Sequence, residues 1–148
     1  MVLGCDIIIA AEHARFGLPE ARRGLLADAS GVVSLPRRIP YHQALAMILT
    51  GKLISAGEAQ AMGLVNQVVP IEDLMQTANN WAREVLECAP LSVQAAKQII
   101  LETNDLSQPV AENLVERLSC VQKLRQSDDY VEGPQAFSEK RKPVWKGR

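Results

Sequence analysis

The run from Val2 to Ala11 constrains this chain more than any other segment. It is almost continuously apolar, with Ile7-Ile8-Ile9 at its centre and Asp6 as its one charged residue. A β-branched run without alternation reads as a strand covered on both faces, as in parallel α/β sheets. Such a strand demands neighbours, and the following residues offer few. Glu12 to Ala14 reads as a short connection and Arg15 to Leu18 as a second short strand. Pro19 biases Leu18 away from helix, so Glu20 stands just after extended chain. The Gly-bearing stretch Gly24 to Gly31 leads into a short helical segment that kinks or stops near Pro36 and ends before Pro40.

Tyr41 to Thr50 predicts a helix with Ala44, Leu45, Ile48 and Leu49 on one side, closed by Gly51. Ser55 and Glu58 form a capping-box pattern, and Gly63 ends the short helix it opens. Leu64 to Val69 reads as a strand stopped by Pro70. This alternation predicts an α/β class for residues 1–70.

After Pro70 the texture is helical. Leu74, Ala78, Trp81, Val85 and Leu86 fall at helical spacing, with Pro90 as the expected stop. Val93, Ala96 and Ile100 begin a stripe on the next helix; Val110, Leu114, Leu118 and Val121 form a third. Ser127 can cap a last helix toward Lys140. Residues 71–148 are thus expected to be an all-helical region. With only about three strands in view, part of the fold is expected to be missing or supplied by another chain.

Charge and composition exclude several classes. Sixteen Lys plus Arg against seventeen Asp plus Glu leave a net −1, which argues against a dedicated nucleic-acid binder. No apolar run reaches the length of a membrane span, and no basic segment precedes the first apolar run, so neither membrane insertion nor a signal peptide is expected. Cys5, Cys88 and Cys120 are too widely spaced for a metal cluster. They read as buried thiols of a cytoplasmic protein. From Glu139 to Arg148, Lys140, Arg141, Lys142, Lys146 and Arg148 face one acid, a local +4 that leaves −5 for the rest. Such a terminus can hold a polyanion, or can be a solvated tail.

The segment CDIIIAAEHARFGLPEARRGLLADASG, from Cys5 to Gly31, resembles the second half of the enoyl-CoA hydratase/isomerase (crotonase) family motif. The resemblance continues through LTGKLISAGEAQAMGLVNQVV, Leu49 to Val69. It ends with EGPQAFSEKRKPVWKGR, Glu132 to Arg148, which looks like the family's closing helix and tail. That tail looks particularly like the one in carnitinyl-CoA dehydratase-type members, although related hydratases share it. The resemblance implies a crotonase-like spiral core, C-terminal half only, followed by helices that serve oligomerisation. It also implies an acyl-CoA thioester as substrate, with coenzyme A as part of that substrate and no metal or redox cofactor. Assembly as a homotrimer or hexamer follows from the same resemblance.

Residue by residue, the resemblance puts Glu20 of FGLPE at the family's second catalytic glutamate, a general acid/base for adding water to a 2-enoyl-CoA. On its own, a Glu after Pro reads as a solvated turn residue. Asp28 stands where many hydratases have Gly and dienoyl-CoA isomerases have Asp. Two carboxylates flanking an acyl chain could move a double bond, whereas the plainer reading is that Asp28 caps a helix starting near Ala29. Ser30 also replaces a usual Gly. Phe137 and Lys140 match positions that pack on coenzyme A and reach its phosphates. His13 and His42 read as surface or structural residues, and Cys5 as an inert thiol in the buried strand.

The family's first glutamate would stand immediately before Met1, and its two oxyanion donors would lie in segments this sequence does not contain. The sequence alone is therefore expected to have little hydratase activity. Double-bond isomerisation, a non-catalytic chain that binds coenzyme A or assembles with longer subunits, and RNA binding are the rival readings.

Overall fold

The computed structural model describes residues 2–148. Among the described residues all four strands precede Pro70, and regular structure from Leu74 onward is helical. The chain divides into two compact units, one through Asn80 and the other from Trp81 to Arg148, so the division falls inside helix α4 (Leu74–Leu86). The change of texture at Pro70 and the division between units are different boundaries.

In the first unit, β1 (Ile9–Ala11) pairs parallel with β4 (Gln67–Val69), in register from Ile9 opposite Gln67 to Ala11 opposite Val69. β2 (Arg15–Phe16) pairs antiparallel with β3 (Ile54–Ser55). The strand expected over Val2–Ala11 is therefore only its last three residues. Val2–Gly4 is a 3₁₀ turn, and Cys5, Asp6 and Ile7 are exposed. Apolarity signals a wish for burial, whereas strand length is set by the partner, and β4 offers three residues. Before that ladder Asn66 takes over: its side-chain Oδ1 accepts from Ile8 N–H and its own N–H donates to Ile8 O, both at 2.8 Å. The buried-thiol expectation fails with it, since Cys5 and Cys88 are exposed, Cys120 is half-buried, and all three are free.

Between the strands run α1 (Gly31–Ser34), α2 (Tyr41–Thr50) and α3 (Ala56–Ala61). The capping box forms as the sequence predicts: Ser55 Oγ accepts from Glu58 N–H at 3.2 Å and Glu58 Oε2 accepts from Ser55 N–H at 2.7 Å. The Ser55 N–H, followed by the bond that Ser55 Oγ donates to the same Oε2 at 2.8 Å, holds the Glu58 carboxyl below its ordinary range. Ala44, Ala56 and Ala59 are completely buried beside Leu35, Ile39, Met47, Ile54, Leu64 and Val65, and these form the core of the unit.

The second unit contains α5 (Pro90–Thr103), α6 (Gln108–Val115), α7 (Ser119–Arg125) and α8 (Asp128–Ser138). α5 packs against α6 and α7, and α7 against α8. Pro90 does not stop α4, which ends at Leu86; it opens α5, where its missing N–H costs nothing. The stripe expected on α5 is out of phase. Leu91 and Ala95 are buried while Ala96 and Ile100 are exposed, because apolar residues stud more than one side of this helix. The stripe from Val110 to Val121 spans two helices, and only Leu118 and Val121 of it are buried. Ser127 caps α8 as expected, its Oγ accepting from Tyr130 N–H at 3.2 Å.

Candidate functional site

Glu20 lies in a 3₁₀ segment, Pro19–Arg23, that opens with the proline and closes at Gly24 in the left-handed conformation. The segment is fastened to the end of α2. Arg22 Nε donates to Thr50 O at 2.6 Å. Gly51 ends α2 at φ 59°, and a Cβ there would come within 2.9 Å of Arg22 Cγ and 3.2 Å of Pro19 Cα. Glycine at 51 thus serves both the turn and the close approach of the Glu20 segment.

Around Glu20 the chain leaves a cavity of about 20 Å³, lined otherwise by Leu18, Ala21, Leu25, Leu26, Ala27, Val32 and Ile48. That volume is on the order of one water molecule. Glu20 Oε2 is buried and has no hydrogen-bond partner among the described residues. A carboxylate oxygen in apolar surroundings without a partner is costly, so this one calls for a chemical reason. An acid/base group that must exchange its proton with a bound reactant is such a reason.

Asp28 belongs to the same unit but is exposed and does not line that cavity. The expected cap is not made. α1 begins at Gly31, its N-cap is Ser30, and no side chain caps it. Asp28 contributes its carbonyl instead, accepting from Ser30 N–H at 2.6 Å. Ser30 pays for this tight turn with a positive φ of 74°, a conformation that costs a non-glycine residue about 1–2 kcal/mol.

Phe137 and Lys140 come together in the second unit, where α8 ends. Lys140 N–H donates to Phe137 O at 3.2 Å and Arg141 N–H to Ala136 O at 3.0 Å, the paired bonds of a Schellman turn. Its left-handed position, normally glycine, is Lys140 at φ 54°. Ser30 and Lys140 are the two non-glycine residues with positive φ among those described. Phe137 is 87% exposed, and the Lys140 side chain has no polar partner among the described residues.

The tail is folded, not a solvated strand of charge. Arg141 forks onto Glu132 at 2.6 and 2.9 Å, and Lys146 Nζ meets Asp128 at 3.3 Å. Asp129, 3% exposed, accepts from Lys146 N–H at 2.7 Å and Gly147 N–H at 2.9 Å. Trp145 Nε1 donates to Glu87 O at 2.8 Å. The Arg141 fork, followed by the Val144 N–H, drives the Glu132 carboxyl down to about 2. Sequence reading missed Glu132, Asp129 and Arg141. Their one signal was alternating charge near the terminus, and no helical or strand period joins positions nine or more apart.

Known proteins share this fold. The enoyl-CoA hydratase/isomerase family model matches residues 1–148. A carnitinyl-CoA dehydratase of Salmonella typhi is 42% identical over 152 residues, covering 100% of this chain and 58% of that protein. The crystal structure of an enoyl-CoA hydratase from Mycobacterium tuberculosis H37Rv superposes with a TM-score of 0.92 at 36% identity, covering 99% of this chain and 57% of the other. One from Bacillus anthracis gives 0.92 at 36% identity, covering 99% and 56%. The fold is thus that of the crotonase class, here in a chain spanning somewhat under three fifths of its relatives' length. The chain belongs to the enoyl-CoA hydratase/isomerase family. Among the described residues no helix is long and apolar enough to cross a membrane.

Proposed function

We propose that the protein carrying this chain adds water to, or removes it from, the double bond of a 2-enoyl-CoA thioester, with Glu20 as general acid/base. The observation that carries this reading is the buried Oε2 of Glu20, without a hydrogen-bond partner among the described residues, on a side chain that lines a cavity walled by apolar residues. The relatives support it, being named as a carnitinyl-CoA dehydratase and as enoyl-CoA hydratases. In the hydration direction Glu20 takes a proton from water as the water oxygen bonds to C3. The C2–C3 π pair moves toward the thioester carbonyl, and the proton then goes to C2. Dehydration runs the same steps backwards. Coenzyme A belongs to the substrate, and the proton chemistry calls for no metal or redox cofactor. Phe137 offers a flat apolar face and Lys140 a cation for the adenine and phosphates of that carrier.

A second reading, double-bond isomerisation, gains from one observation: Asp28 caps no helix, so its carboxylate is not committed to structure. Assembly as a homotrimer or hexamer is supported by apolar side chains left exposed on the helical unit, among them Leu86, Ile100 and Leu101. Three free cysteines support a reducing, cytoplasmic setting. The deciding experiment follows crotonyl-CoA by loss of enoyl-thioester absorbance, with Glu20→Gln and Asp28→Asn beside the unmodified protein. Hydration that depends on Glu20 and not on Asp28 supports the hydratase. Migration of a double bond that requires both carboxylates supports the isomerase.

A further inference from the structure

Two acids beside Lys140, Glu132 and Glu139, would repel an anionic ligand if they were uncompensated. Both are compensated by the same side chain. Arg141 places Nη1 and Nη2 on Glu132 at 2.6 and 2.9 Å, and its Nε pairs with Glu139. Asp128 is met by Lys146. Lys140, like Lys142 and Arg148, has no acidic side-chain partner among the described residues, while every nitrogen of the Arg141 side chain is engaged.

Glu132 also acts on the backbone. Its Oε1 accepts from Val144 N–H at 2.8 Å, so the residues just after Lys140 are tied back to α8 through one carboxylate. On the other side Glu139 N–H donates to Gln135 O at 2.9 Å. Lys140 sits between two held neighbours in a backbone conformation it would otherwise leave, since the left-handed region is unfavourable for it. A bidentate Arg–carboxylate pair supplies the directional hold such a turn requires.

We infer that Glu132 is a positioning residue for phosphate recognition: by clamping Arg141 and Val144 it keeps Lys140 in the left-handed turn with its ammonium uncommitted. This rests on the proposal that Lys140 meets the phosphates of a CoA thioester. Arg141, the stronger phosphate ligand by chemistry, is the clamp and not the contact.

The test is calorimetric titration of coenzyme A into the full chain, Lys140→Ala, Glu132→Gln and the double variant. Each single variant is expected to bind about tenfold more weakly, the effect of losing one charge-assisted hydrogen bond. The double variant is expected to bind no more weakly than Lys140→Ala, because Glu132 acts only through Lys140. Glu132→Asp, which keeps the charge, is expected to recover most of the affinity. If Glu132→Gln loses helix by circular dichroism, Arg141→Gln removes the other half of the clamp and completes the same cycle. Binding by the single clamp variant within about twofold of the unmodified chain, or losses that multiply in the double variant, overturns the positioning role and leaves the Lys140 reading standing. Binding unchanged in Lys140→Ala, or no binding by the unmodified chain, overturns both.

Discussion

Glu20 and Lys140 are presented in opposite ways. Glu20 is carried by apolar packing and by the bond from Arg22 to Thr50 O, and its Oε2 is buried with no hydrogen-bond partner among the described residues. Lys140 is carried by a network of charged hydrogen bonds among its neighbours, and its own side chain is exposed. The difference follows from what each proposed task requires. A proton carrier works best where water is excluded and its basicity is not spent on a standing hydrogen bond. A phosphate ligand has to be reachable, with its charge not cancelled by a nearby acid. Both sites store cost in the backbone or in desolvation, and both do so where the rest of the chain holds them in place.

The largest effect is expected at the buried carboxylate. In the protein carrying this chain, Glu20→Gln keeps shape and removes proton transfer, so turnover of crotonyl-CoA should fall by roughly 10²–10⁴-fold at nearly unchanged melting temperature. Next comes the hydrophobic core of the same unit. Leu35 is 2% exposed in the core of the first unit, and Leu35→Ala should cost about 2–5 kcal/mol in a denaturant titration. The capping box contributes less: Ser55→Ala should cost about 1 kcal/mol in the same measurement.

At the other site the expected sign reverses. Lys140→Gly relieves the positive φ and should stabilise the chain by about 0.5 kcal/mol, while weakening the binding of coenzyme A. A gain in stability paired with a loss in binding would mean that lysine is kept there for its charge. The smallest effect concerns pH. The folded-state carboxyl of Glu132 is depressed to about 2, so its contribution is fully present above the ordinary carboxylate value of 4.5 and is lost as pH falls toward 2. Melting temperatures of the unmodified chain and Glu132→Gln should therefore converge between those two values, with the difference largest near neutral pH.

Much of the fold was legible because it is local. The Ser55–Glu58 box, the Gly51 stop after α2 and the Ser127 cap each depend on residues within four positions of one another. What failed was set by partners at long range. The length of β1 is decided by Gln67–Val69, some fifty-eight residues on, and the two-residue β3 exists only because Arg15 and Phe16 lie beside it. Leu91 and Ala95, not Ala96 and Ile100, are buried on α5 because neighbouring helices choose the face. Glu20 stood out by its place in FGLPE, but its cavity was invisible, since Val32 and Ile48 reach it from elsewhere in the chain. The clamp on Lys140 was likewise hidden, because Glu132 and Arg141 are nine positions apart.

Glu20 is expected to carry turnover and Lys140 binding, and one paired measurement tests that division of labour most directly. Saturation kinetics with crotonyl-CoA, read together with calorimetric binding of coenzyme A, should place the loss in Glu20→Gln in kcat alone, with binding unchanged. The same pair of readings should place the loss in Lys140→Ala in binding and KM, with kcat retained at saturation. A Glu20→Gln protein whose kcat stays within about threefold of the unmodified protein, set against the losses expected for general acid/base groups, would contradict the account.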